Sequence, residues 1–270
     1  MRLIYDWVLD VLGLLASFTF LSYSSWRDVV SREVSDRVWL VSYPVALGLM
    51  VVRLIDQSGP RLLILLSVTA AVVLSLALVF VGIWGGADGK GFLCLAIMNP
   101  IIPTLGGNLS HIVNPFFPLV IFSNAYIASL TAILYAIQKN LRTHPLRELF
   151  EGFEGESRSR KAAAFLTGYR VPVEDLESKA FLFPLESVDQ ERQTRRRRFK
   201  FGVRVDSDPR EDLKQIKAAV DSGMLHGTIW VSPGLPFLVF LTAGLGLSIL
   251  FGDIVWGAVS AVMHIVAALI

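Results

Sequence analysis

The chain has 270 residues, of which 53% are hydrophobic and 18% charged, with a formal net charge of +2. Soluble domains carry about 25% charged residues, so this composition, with a mean hydropathy of +0.57, excludes an ordinary soluble domain and reads as a polytopic membrane protein. The single cysteine, Cys94, excludes an intrachain disulfide framework.

A transmembrane helix needs about 20 mostly apolar residues. Leu3–Ser25 is the first candidate. It contains Asp6 and Asp10 and lacks a small-x-small cleavage site, so it reads as a retained helix and not as a removed signal peptide. Val38–Ile55 and Leu62–Trp84 follow. Gly91–Leu105 is shorter and broken by Asn99-Pro100, which predicts a short or kinked fourth helix. Pro115–Gln138 is the fifth span and Pro233–Phe251 the sixth, while Ile254–Ile270 reads as a seventh helix or a re-entrant tail.

Residues 139–228 form a polar insertion with 18 basic and 15 acidic side chains. Its Glu151–Lys161 segment, rich in Gly, Ser and charge, is expected to be a mobile loop. Phe181–Leu185 and the alternating Arg198–Val205 read as strands. Asp208-Pro209 ahead of Glu211–Val220, with Gly223 beyond, reads as a capped helix. The run Arg195–Arg198 is expected to be a solvated or strand-edge charge cluster, with contact to anionic lipid as the second reading. No nucleic-acid module surrounds it. The expected fold is therefore an α-helical polytopic membrane protein of about six transmembrane helices, with a seventh possible, and a small α+β cytoplasmic insertion before the last main span. The domains are then 1–138 (spans one to five), 139–228 (insertion) and 229–270 (last span and apolar tail).

Loop charge orients the set, because Lys and Arg favour the cytoplasmic side. The Pro103–Asn114 loop has neither, whereas 139–228 holds 18 of the 25 basic residues. The insertion is accordingly expected in the cytoplasm and the N-terminus outside. By parity, Ser24–Arg37 and Trp84–Lys90 then share the cytoplasmic face, and each carries an acid: Asp28 and Asp88. Arg2, Arg53 and Arg61 run against this charge bias without reversing it. Asp6, Asp10, Asp56 and Asp253 fall on the opposite side, where anchoring is a sufficient role.

An ionisable residue beside an apolar span is costly to dehydrate and marks a candidate site. Asp88 lies in Gly86-Ala87-Asp88-Gly89, where glycines let another backbone approach. Two carboxylates in one site share a proton, because both cannot easily ionise. That suits peptide hydrolysis: the ionised acid takes a proton from the attacking water and the protonated one hydrogen-bonds the carbonyl. Taken singly, each acid has a plainer reading, Asp28 as an ion-pair partner of Arg27 or Arg32 and Asp88 as a partner of Lys90 or a helix cap. His111, His144, His226 and His264 lack metal-ligand spacing, so no metal or cofactor is expected.

The motifs also carry a family resemblance. Gly86-Ala87-Asp88 resembles the G-x-G-D or G-A-D signature of membrane aspartyl peptidases that process type IV pilin-like precursors. Trp26-Arg27-Asp28, followed by Ser31-Arg32-Glu33-Val34-Ser35-Asp36-Arg37, is similar to their first motif. Trp230-Val231-Ser232-Pro233-Gly234-Leu235-Pro236-Phe237 resembles the entry to the last span in the archaeal branch, the prepilin and preflagellin (archaellin) peptidases. The four-cysteine motif of the bacterial enzymes is lacking. The resemblance implies Asp28 and Asp88 as the catalytic pair. It also implies precursors with a short basic leader and an apolar helix, cut at the cytoplasmic face. Candidate substrate contacts are Gly85, Gly86 and Gly89 along the leader backbone, Glu33 and Asp36 toward its basic residues, and Pro233 and Pro236 as positioning residues. Membrane lipid is the other expected partner, and nucleic acid is not expected. Two other readings stay open: a cation- or proton-coupled transporter, and a membrane-anchored scaffold with a basic domain.

Overall fold

The computed structural model describes residues 2–56, 60–105, 107, 109, 112–143, 145, 148–173, 175, 182–188, 197–200 and 228–269. The chain divides into two compact units, one formed by Met1–Ser129 with Pro236–Ile270 and the other by Leu130–Leu235. The division falls inside a helix, N-terminal to the expected 138/139 boundary.

The first unit is helical. Its elements are α1 (Arg2–Ser31), α2 (Asp36–Ile55), α3 (Arg61–Phe80), α4 (Gly86–Met98), the N-terminal part of α5 (Phe117–Thr143), α7 (Phe237–Phe251) and α8 (Ile254–Leu269). Among the described residues four helices, α1, α2, α3 and α5, are long and apolar enough to cross a membrane. The pair α7 and α8 makes a fifth if its 50° bend is counted within one span. The expected six or seven separate spans thus resolve differently in two places. α4 has 13 residues, about 20 Å of helix, short of a hydrocarbon core about 30 Å thick. It stops at Met98 because Asn99 precedes a proline, which disfavours the α region. Of the expected Ile254–Ile270 segment, Ile254–Leu269 is the helix α8, which follows α7 across the Gly252 break, where φ is +73°.

Small residues set the packing. The buried face of α3 is Ile64, Ser67, Ala71 and Ser75, spaced by three and four, which lets α4 approach closely. Leu62, Leu65, Val73, Leu76 and Phe80 of the same helix face outward, as an apolar solvent requires. Gly244 lets α7 press on α5, for a Cβ there would lie 2.6 Å from the Ile121 carbonyl oxygen. The core between the helices holds Phe92, Phe117, Ile121, Leu238 and Leu241.

The anchoring role expected for Asp10 needs correction. Asp10 and Arg53 form a 2.8 Å ion pair with both side chains 3% exposed. The second Asp10 oxygen accepts from the amide and the hydroxyl of Thr104 at 2.6 and 2.8 Å. Burial without a partner is prohibitive for either charge, so the two are retained together. Asp253 caps α8, accepting from the Trp256 amide at 3.0 Å.

The second unit contains the C-terminal part of α5, α6 (Arg158–Thr167) and a three-stranded antiparallel sheet of order β1–β5–β2. These strands are Tyr169–Pro172, Thr228–Pro233 and Leu182–Pro184, and β3 (Glu186–Val188) pairs with β4 (Arg197–Phe199) in a second sheet. Its core is Leu149, Phe153, Ala164, Phe199 and Trp230, with Phe153 and Phe199 stacked 4.2 Å apart. Of the expected Phe181–Leu185 strand, Leu182–Pro184 is β2, Leu185 lies beyond its end and Phe181 lies outside the described residues. The start of the Arg198–Val205 strand is β4, while its remainder, the expected Glu211–Val220 helix, and Arg195 and Arg196 lie outside the described residues. Two expectations change. Glu151–Lys161 is not an open loop: Ser157 caps α6 and Glu156 accepts from the Phe199 amide at 3.1 Å. Arg197 is not simply solvated: it makes a two-point contact at 2.6 and 2.8 Å with Glu186, whose side chain is 1% exposed.

Candidate functional site

Asp28 stands one turn before the end of α1. The helix stops because Arg32 takes a left-handed conformation, φ +55°, while its amide still bonds the Asp28 carbonyl at 3.1 Å. That conformation is costly for a residue with a Cβ and concentrates at functional positions. The turn keeps the Arg32 guanidinium within electrostatic reach of both Asp28 and Asp88.

Asp88 is the third residue of α4. Its Oδ2 accepts from the amide of Gly85, the N-cap, at 3.1 Å, one half of a capping box. Gly85 is extended, with φ −74° and ψ 162°. A carboxylate in the first helical turn also meets the positive end of the helix dipole.

A third element joins them. Pro236 caps α7 without a side-chain hydrogen bond, which leaves the first α7 amides without an intrahelical acceptor. One of these, the amide of Leu238, lies within interaction range of both Asp28 and Asp88. The acids of α1 and α4 thus converge on one helix N-terminus. Asp88 precedes the apolar part of α4 and lies outside every span described above. Burial pushes its carboxyl up to about 6, and the Asp28 charge adds to this; the Gly85 amide, Arg32 and the Leu238 amide pull the other way.

The other predicted contacts separate. Gly86 is open, since a Cβ there would meet nothing within 4 Å, and a Cβ on Gly85 would lie 3.4 Å from the Asp88 carboxylate. Gly89 faces α3, where a Cβ would fall 2.8 Å from Val79 and 3.0 Å from the Ser75 hydroxyl. Its lack of a side chain is therefore used in helix packing. Asp36 pairs with Lys90 at 2.6 Å on the surface, and Glu33 is exposed. Pro233 ends β5, paired opposite Leu182, in the second unit; Pro236 is the cap of α7.

Aromatic rings cluster at the N-terminus of α7. Trp84 is 4% exposed and packs on Phe92, Phe122 and Phe237 at 5.4, 5.7 and 5.0 Å between ring centroids. Tyr126 of α5 adds its ring to Phe122 at 4.7 Å and to Phe237 at 5.3 Å. Tyr126 and the Leu238 amide are site groups that motif reading missed. Tyr126 carried no local signal, because only tertiary packing brings α5 here; Leu238 was hidden because its contribution is backbone. Trp84 adjoins the glycine-acid motif and was visible by position. The cavity of about 600 Å³ in the second unit is lined by Glu154, Glu156, Arg160 and Arg197, among others, and contains neither acid. Two of its arginines engage protein partners: Arg160 pairs with Glu156, and Arg197 with Glu186.

Comparison with known proteins bears on the second half of the chain. No curated protein matches it. Residues 160–254 match the family model described as Archaeal Peptidase A24 C-terminus Type II, a segment that includes β1, β5 and α7. Over that segment the chain is similar to the C-terminal region of archaeal A24 peptidases, which is consistent with an archaeal A24-family prepilin or preflagellin peptidase.

Proposed function

We propose that the protein is a membrane aspartyl endopeptidase that removes the short basic leader from archaellin or type IV pilin-like precursors at the cytoplasmic face. The observation that carries this reading is the convergence of Asp28 and Asp88 on the Leu238 amide at the mouth of α7. The family match over 160–254 and the apolar helices support it.

In this mechanism one acid is ionised and takes a proton from water as the oxygen attacks the peptide carbon. The other is protonated and donates to the carbonyl oxygen. As the tetrahedral intermediate collapses, the first acid gives its proton to the leaving nitrogen, the second takes back the proton it gave the carbonyl oxygen, and the C–N bond breaks. Asp88, whose carboxyl burial pushes up to about 6, is assigned the role of proton donor. The open backbone at Gly85 and Gly86 accommodates an extended leader, whose main-chain groups supply affinity without sequence demand. Glu33 and Asp36 attract its basic residues, with the leader displacing Lys90 from Asp36. Each such exposed pair contributes below about 1 kcal/mol.

The test is cleavage of an archaellin precursor and a pilin precursor by the purified full chain in detergent. Asp28→Asn and Asp88→Asn should each remove activity while leaving the protein inserted and folded. Normal turnover by either variant would remove the two-acid mechanism.

A further inference from the structure

Two polar groups among the aromatic rings have no role in the two-acid scheme. The Trp84 indole N–H is buried without an acceptor in hydrogen-bond geometry. A buried donor in that state is costly and calls for an explanation. The Tyr126 hydroxyl lies within interaction range of that indole and within electrostatic reach of Asp88. Phenylalanine at position 126 would keep the ring contacts to Phe122 and Phe237. Only the hydroxyl distinguishes tyrosine here, and a hydroxyl on an apolar helix is unfavourable unless it has a partner.

The rings also hold the phenol still. Phe122 on α5 and Phe237 on α7 flank it, and Trp84 packs against both. An indole N–H directed at the phenol oxygen would leave the phenol's own proton free to point toward the acids. A donor fixed in advance beside a developing oxyanion stabilises the transition state more than the ground state.

Resting on the peptidase reading, we propose that Tyr126 is a further catalytic residue: its hydroxyl, oriented by Trp84, donates a hydrogen bond to the carbonyl oxygen of the scissile peptide held between Asp28 and Asp88. Trp84 is then a positioning residue that acts through Tyr126.

The experiment uses the full chain in detergent and a synthetic peptide with a short Lys/Arg leader joined to an apolar helix. Tyr126→Phe should lower kcat by about tenfold to a hundredfold, at or below the lower limit of the roughly 10²–10³ that loss of one oxyanion donor costs. KM should stay within about twofold. Its thermal midpoint should match the parent protein, since the ring packing is retained. Trp84→Phe should lower kcat less, and the double variant should be no slower than Tyr126→Phe alone, a pattern that independent structural damage would not give. Wild-type kcat in Tyr126→Phe, or a rise confined to KM, overturns the assignment. A double variant slower by the product of the two single effects overturns the part given to Trp84. If the parent cleaves, Asp88→Asn is inert and Tyr126→Phe is normal, this inference fails alone. If Asp88→Asn cleaves, the peptidase mechanism fails and this inference with it.

Discussion

Asp28 and Asp88, 60 positions apart in sequence, lie within interaction range of the same backbone amide, that of Leu238 at the N-terminus of α7. Three helix ends are used to bring this about: the left-handed stop of α1 at Arg32, the glycine cap of α4 and the proline cap of α7. Each leaves polar backbone or charge pointing at the acids. The α4 and α7 amides favour ionised carboxylates, whereas burial and the neighbouring acid favour a proton. The balance for Asp88 falls on the side of the proton, at about 6.

That balance predicts a pH dependence. A carboxyl with a pKa near 6 is protonated below that pH and ionised above it. If Asp88 must donate, kcat/KM for precursor cleavage should decline above about pH 6 and approach tenfold per pH unit. Arg32 lowers the carboxyl, so Arg32→Gln should move this limb to higher pH and Arg32→Lys should leave it nearly in place. The same shift has a stability sign. The folded carboxyl holds its proton more tightly than the unfolded one, whose value is 3.8, so stability from this group is present below about pH 4 and lost as pH rises through 6. Asp88→Asn should therefore be inactive yet more stable than the parent at pH 7.5, by about 1–3 kcal/mol, with the difference vanishing near pH 4. A flat cleavage profile from pH 5 to 8, or an asparagine variant less stable at pH 7.5, would count against this account.

The second prediction concerns Asp10 and Arg53. Removing one member of a buried pair leaves an uncompensated charge, a loss of about 3–5 kcal/mol, whereas replacing both with apolar residues is often near neutral. Asp10→Leu and Arg53→Met should each strongly lower resistance to unfolding in mixed detergent, and the double variant should recover most of the loss. The Thr104 amide, which donates to Asp10, would keep an unmet donor in the double variant and limit the recovery. Single losses that simply add would show that the pair is not coupled.

The helical class, the apolar segments and the acids beside them were legible because hydropathy and charge are local properties of the chain. Asp28 and Asp88 stood out as ionisable groups at the ends of apolar runs. The fate of Asp10 was not legible. A span-end acid reads as solvated until a partner comes from another helix, and Arg53 sits 43 positions away. Gly89 misled in a related way: a glycine beside an acid suggests room for substrate, but its missing side chain accommodates Ser75 and Val79 of α3. Arg197 looked solvated within a four-arginine run because Glu186 becomes its neighbour only through the β3–β4 pairing. Sequence pattern reports the solvent each segment needs, while the pairing of polar groups is decided by packing.

Packing supplies the last prediction, on two glycines of α7. A methyl at Gly244 would meet the Ile121 carbonyl oxygen at 2.6 Å and the Ala125 amide nitrogen at 2.7 Å, both backbone atoms of α5 that cannot rotate aside. A methyl at Gly246 would meet nothing within 4 Å. Gly244→Ala should therefore destabilise by about 1–3 kcal/mol through overpacking, while Gly246→Ala should be neutral or gain up to about 1 kcal/mol from helix propensity. Because α7 begins at Phe237 and carries the Leu238 amide to the acids, displacing it from α5 should also lower kcat in Gly244→Ala and leave Gly246→Ala active. Thermal unfolding and precursor cleavage of the two variants, prepared side by side, check both parts. Equal behaviour of the two would mean that the close contact between α5 and α7 does not fix the mouth of α7.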